Sequence, residues 1–338
     1  ALMIQQGVRL SVRHGNDPAT PMFYAAYGMV LAGIVRDPDA GVQYADLAVR
    51  LADHFGVDSK PSRVRFTRDT LVSPFTKPLR EIEPSLERAY RTGLEIGDLG
   101  YGTGAFLFLG LHRLFTGTPL ERLEPDLEAA EGLLRRHAQL RNLAAAVALR
   151  QFVHDVRHLG SGAPFSGPYV TDGDEHVRAT ATSGNAMAAF WTAQFRAMSR
   201  FHHGDHGGAA DDLLAAAEHI DAVLGQVLVP VHHLYGVLVH AELAATGTAD
   251  SLRTAEKHRK QLAWFAKHNP VTHGTPLLLA DAAIALARGD RAAAVRLSAD
   301  AINAAAEQGT PLVVALAAGV AAASTDGDER RRHLAAMD

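Results

Sequence analysis

The stretch LLLADAAIALARGDRAAAVRLSADAINAAAEQG, Leu277 to Gly309, decides the fold. Ala and Leu dominate it, and apolar residues recur at three- and four-residue steps on both sides of Gly289-Asp290. It reads as two amphipathic helices joined by a tight turn. Ala293 and Ala294 place small residues at the first turn of the second helix, so that helix can pack closely on the first. The same arrangement recurs upstream, where Gly204-Asp205 is followed by Ala209-Ala210 and Leu213-Leu214.

Working outward, the whole chain breaks into helical pairs punctuated by Gly, Pro and Asp. The predicted pairs are 20–36 with 39–55, 62–73 with 84–96, and 102–115 with 120–137. A single helix over 140–159 follows. Then come 186–203 with 208–224, 227–246 with 250–268, and 276–288 with 292–308, and an apolar helix over 312–323 closes the series. Pro84 is tolerated only near a first turn, which predicts a helix start around Glu83. The last three pairs start about 40 residues apart, the period of helical-hairpin repeats. No sustained two-residue alternation marks a strand. The expected fold is all-α: an α-solenoid of stacked hairpins, a tetratricopeptide-like right-handed superhelix, in a single domain over 1–338. The segment 160–185, rich in Gly, Pro, Ser and Thr, interrupts the rhythm as an irregular insert.

Composition removes several function classes. The chain has no cysteine, which excludes disulfides, thiolate nucleophiles and thiolate metal sites. Its net charge of −4 argues against nucleic-acid or anionic-membrane binding. The run Leu312 to Ala323 is about half the ~20 residues of a membrane span. The N-terminus, Ala1 to Gly7, has no basic region ahead of an apolar run and so does not read as a signal peptide, and it lacks an initiating Met, as a processed or excised chain would. A cytoplasmic location is expected. There is no G-x-x-x-x-G-K-[ST] phosphate loop, no H-R-D or D-F-G kinase signature and no G-x-S-x-G elbow.

Three stretches carry a resemblance. LSVRHGNDPATPMFYAAYGMVL (Leu10–Leu31), SPFTKPLREIEPSLERAYRTGLEIGDLGY (Ser73–Tyr101) and the Leu277–Gly309 hairpin resemble the helical-repeat region of large bacterial signalling proteins. Those proteins join serine-threonine kinase-like, AAA-type ATPase, GAF and histidine kinase domains to this region. The resemblance implies a sensor or protein-interaction scaffold and brings no catalytic residues with it.

Histidine is the anomaly, with 18 in 338 residues. His154 and His158, four apart, share a helix face beside Asp155. His202 and His203 end the next first helix, and His232, His233 and His240 lie on the one after. First helices line the concave side of tetratricopeptide-like stacks. A ligand groove formed by His154, His158, Trp191, His202, His203, His233, Tyr235 and His240 is therefore expected, suited to an acidic ligand or to a pH response. The competing reading is that these are helix-end and surface histidines, favoured there by the helix dipole. No H-E-x-x-H occurs, and neither a metal nor a cofactor is predicted.

Asp172-Gly173-Asp174-Glu175-His176 loosely resembles the acidic motif of class II terpene cyclases. The same letters recur at Asp326 to Glu329, where a solvated turn is the simpler reading. The expected function is a non-catalytic module that binds a peptide, a protein partner or a small effector. The alternative is an enzyme of specialised metabolism, such as a cyclase, with His154, His158, His202 and Asp174 in acid–base roles and the insert as a lid.

Overall fold

The structure is a computed structural model that describes residues 2–160 and 162–325, apart from the side chains of Val57 and Ser59. The second acidic stretch, Asp326 to Glu329, lies outside the described residues. Among those residues sixteen α-helices and no strand are present, so the chain is all-α. No described helix is long and apolar enough to cross a membrane.

The chain forms two compact units. The first holds the described residues up to Arg113, together with Glu121–Val147 and Ile220–Val229. Its opening helices are α1 (Leu2–His14), α2 (Thr20–Met29), α3 (Pro38–Phe55), α4 (Pro61–Leu71) and α5 (Leu79–Glu95). Each packs on the next, and α2 also reaches α4. The remaining helices are α6 (Leu99–Phe115), α7 (Leu120–Arg136), α8 (Leu140–Arg157), α9 (Gly173–Thr182), α10 (Ala186–His202), α11 (His206–Ala217), α12 (Leu228–Ala245), α13 (Ser251–His268), α14 (Pro270–Ala287), α15 (Arg291–Gln308) and α16 (Pro311–Ser324). The second unit holds Leu114–Leu120, Ala148–His219 and the described residues from Pro230 onward. Within it α10 packs on α11, and α13 to α16 each pack on the next, with α14 also on α16. A helix that touches its neighbour and its neighbour's neighbour is the pattern of stacked hairpins.

The Gly-Asp turns show how sequence writes this pattern. Gly204 and Gly289 adopt φ of 78° and 81°, the left-handed residue that ends a helix. The following Asp205 and Asp290 each accept a hydrogen bond from the backbone N–H three residues on, at 2.9 and 3.0 Å. Asp37, Asp172, Asn185 and Asn269 cap α3, α9, α10 and α14 in the same way.

Several boundaries differ from the sequence reading. Helix α5 begins at Leu79 and α14 at Pro270, leaving Pro84 and Pro276 inside their helices. A proline in the second turn forfeits one bond, to the carbonyl four residues back, so the helix extends ahead of it. The expected helix 20–36 is α2 followed by a π-helical turn, Val30–Val35, closed by Arg36 at φ 63°. The expected helix 208–224 stops at Ala217. Two helices arise where none was expected. Helix α1 buries only Val8, so its apolar signal is dilute. Helix α9 forms inside the supposedly irregular insert from a poor helix-forming sequence, held by the Asp172 cap and by the Asp174–Arg196 ion pair at 2.6 Å.

Close packing of α2 on α3 depends on two glycines. A Cβ on Gly28 would lie 2.6 Å from the Gly41 carbonyl oxygen, and one on Gly41 would lie 2.7 Å from that of Gly28. Backbone cannot yield as a side chain does. Gly41→Ala is therefore expected to destabilise the first unit by about 1–3 kcal/mol through overpacking, read as a lower urea midpoint at unchanged slope.

Candidate functional site

The second unit gathers most of the candidate residues. At its α8 corner, the insert is pinned by a buried polar network. Asp155, 5% exposed, accepts the backbone N–H of Phe165 at 2.8 Å, the Ser199 hydroxyl, and the Gln151 amide at 2.7 Å. The Gln151 oxygen accepts the N–H groups of Tyr169 and Val170 at 3.2 and 3.0 Å. Phe165 is fully buried with a left-handed φ of 56°. The insert therefore lies as a fixed strap across α8 and α10. Arg150, 9% exposed, stacks its guanidinium under the strap's Tyr169 at 4.0 Å, and His154 meets the same ring edge-on at 6.0 Å. His154 and His158 stack on each other at 4.3 Å, and the His158 Nδ1 donates to the His154 carbonyl at 2.9 Å. His154 is half-buried and His158 is exposed.

A second group joins α10 to α12. His202 Nε2 lies 2.9 Å from the Tyr235 hydroxyl. Desolvation holds His202 down to about 4, with the charge of His203 a smaller cause, and burial pushes Tyr235 up. His203 donates through Nδ1 to the Ser199 carbonyl at 2.8 Å. Arg196 pairs with the buried Asp212 and with Asp174.

The third group was only partly foreseen. His232 on α12, 2% exposed, donates through Nδ1 to Gln194 Oε1 on α10 at 2.8 Å. Next to it, His233 Nδ1 lies 3.1 Å from His258 Nδ1 on α13. The rings of His232, His233 and His258 form a nearly equilateral triangle with centroid separations of 5.4, 5.5 and 5.3 Å. His240 stacks on His258 at 6.0 Å and 15°. Burial lowers the pKa of His240 and holds His258 down to about 4, with His240 a lesser cause. His232 lies well below the ordinary range through burial, then through the charges of His233 and His258.

These positions revise the expected groove. Trp191 is fully buried and Tyr235 is 1% exposed, because both point into the core and not toward a ligand surface. His233 faces His258 between two helices, and the adjacent His232 faces α10. The proposed acid–base set is not assembled: His202 is engaged with Tyr235 and Asp174 with Arg196 and Arg200, while His154 faces the strap's Tyr169 and His158 stacks on His154. The sequence reading missed Gln151, Gln194, Ser199, Gly236 and His258. His258 sits in the run Glu256-Lys257-His258-Arg259-Lys260, which looks like a solvated face. The one available signal was Gly236, a glycine inside an apolar helix one turn beyond two histidines. No protein-family model matches this chain, and no curated protein does.

Proposed function

We propose that this chain is a helical-repeat recognition module, a sensor or scaffold of the kind found in large bacterial signalling proteins, and that its second unit captures an acidic peptide segment at the α8 corner. The observation that carries this reading is the preformed patch of Tyr169, His154 and His158, with the buried Arg150 packed beneath the Tyr169 ring. The one acid of α8, Asp155, is turned inward to the strap, so this helix adds no carboxylate to the patch. Carboxylates are recognised by cationisable and aromatic groups through charge-assisted hydrogen bonds, and a surface held rigid before binding loses little entropy on capture. The stacked hairpins supply the rigid frame.

Fluorescence anisotropy with a labelled oligoglutamate peptide tests the reading. Saturable binding is expected that weakens with added salt, and at least about tenfold in the His154→Ala/His158→Ala double variant, a loss of roughly 1.4 kcal/mol. Competition by inorganic pyrophosphate that fully displaces the peptide points to a small anionic effector instead. Absence of saturable binding, or binding indifferent to both replacements, rejects the site.

A further inference from the structure

We infer that His232, His233 and His258 form a binding site for a divalent transition-metal ion of the zinc class, clipping α12 to α13. Each of the three offers one imidazole nitrogen, and these atoms all lie within 4.8 Å of one another. Two of the donors, the Nδ1 atoms of His233 and His258, are already 3.1 Å apart. Two nitrogens bound tetrahedrally to zinc at roughly 2.0–2.1 Å stand about 3.3 Å apart, so this pair is close to ligand spacing. In the metal-free protein one of those nitrogens must donate a proton to the other. An ion replaces that single bond with two ligand bonds.

Two features outside the triangle fit a metal centre better than a chance meeting of imidazoles. The first is the Gln194 contact. By accepting the Nδ1 proton of His232, Gln194 fixes the tautomer that leaves the Nε2 lone pair of His232 for an ion, as outer-shell partners of ligating histidines do. The second is Gly236. A Cβ there would lie 2.5 Å from Cγ and Nδ1 of His258 and 2.7 Å from its Cε1. The α12 backbone is therefore bare where the His258 ring must enter to meet His233. On its other face, His258 stacks against His240, whose Nδ1 is buried with no partner among the described residues. An all-imidazole set suits zinc, cobalt, nickel and copper and suits magnesium or calcium poorly. Three protein ligands leave a tetrahedral ion one position for water.

The site goes beyond the recognition reading and is independent of it, since His154 and His158 take no part. The test uses the full chain, stripped with chelator and titrated with cobalt(II) alone. One ion per chain is expected, with the intense visible bands of tetrahedral cobalt, and zinc is expected to bleach them. His233→Gln and His258→Gln are each expected to weaken cobalt binding by at least about 100-fold, and Gln194→Ala by about tenfold. Saturating zinc is expected to raise the thermal midpoint of the wild type by on the order of 5 °C and to leave the His258→Gln midpoint unmoved. Circular dichroism establishes that each variant is folded, and the wild-type titration stands even where a variant is not. Any of three results overturns the site: no saturable uptake by the wild type, only the weak bands of octahedral cobalt, or uptake that survives loss of His233 and His258. Failure of peptide capture with cobalt uptake intact overturns the recognition reading alone.

Discussion

Acidification from about pH 6.5 to about pH 4 is expected to remove on the order of 6 kcal/mol of folding stability through two buried histidines, one in each unit, with the buried His232 and His258 adding to the loss in the second. In the first unit, His112 on α6 is fully buried, and burial alone holds it down to about 3. Neither of its ring nitrogens has a partner among the described residues. In the second unit, His202 is held down to about 4 by desolvation first and by His203 second. Both are neutral in the fold, while in the unfolded chain each takes up a proton below about 6.5. The sign follows. Stability is full above about pH 6.5, falls by about 1.4 kcal/mol per pH unit for each histidine below it, and stops falling near the folded values, about 4 for His202 and about 3 for His112. The loss is comparable with the whole stability of an ordinary domain, about 5–15 kcal/mol. Urea unfolding at a series of pH values measures it. Trp191 and Trp264 both lie in the second unit, so fluorescence follows that unit and circular dichroism follows both. His112→Leu is expected to remove the first unit's share of the slope, about 1.4 kcal/mol per pH unit, and to add about 1–3 kcal/mol near neutrality because it replaces an unpartnered buried imidazole. His202→Gln, which keeps a hydrogen-bonding group near Tyr235, is expected to remove a like amount from the second unit, leaving there the part that His232 and His258 contribute. A slope unchanged in both variants refutes the account.

The fold was legible because its grammar is local. Gly289-Asp290 and Gly204-Asp205 end one helix and cap the next within two residues, and no distant partner is needed to read them. Prolines misled for the same reason: Pro84 and Pro276 read as helix starts, and only tertiary packing tells whether a turn forms ahead of them. The candidate site was legible in kind and illegible in grouping. The sequence marks an excess of histidine on α8, α10 and α12, but which face each presents depends on neighbours far along the chain. His232 and His233 are adjacent in sequence and point to different helices, one to Gln194 and the other to His258. Histidine carries the expectation of a groove, and Tyr235 and Trp191 join it only because large aromatics mark binding surfaces and cores alike, which burial alone separates. The strap was misjudged because its anchors, Gln151 and Asp155, lie on α8 before it and Ser199 lies on α10 after it.

Asp155→Ala is the single replacement expected to damage the second unit most, at roughly 3–5 kcal/mol. The carboxylate accepts from three donors that come from separate parts of the chain: the Phe165 N–H on the strap, which it shares with the Ser199 oxygen at 3.1 Å, the Ser199 hydroxyl on α10 and the Gln151 amide on α8. Removing it deprives the Ser199 hydroxyl and the Gln151 amide of their acceptor in a buried setting and leaves the Phe165 N–H only the longer bond to Ser199. It also releases Phe165, whose left-handed backbone at φ 56° costs about 1–2 kcal/mol and persists only while its N–H and its ring are both held. Ser199→Ala, by contrast, leaves the carboxylate two of its donors and is expected to cost about 1 kcal/mol. Because both groups belong to one network, the double variant is expected to cost less than the two single changes added together. Urea unfolding measures the energies, and limited proteolysis between residues 162 and 172 measures the strap itself. Rapid cleavage there in Asp155→Ala, with the helices still folded, is the signature of a strap that has come away from α8. A loss under about 1 kcal/mol with the strap still protected means that Phe165 is held by its own ring, and that the polar network is a consequence of docking and not its cause.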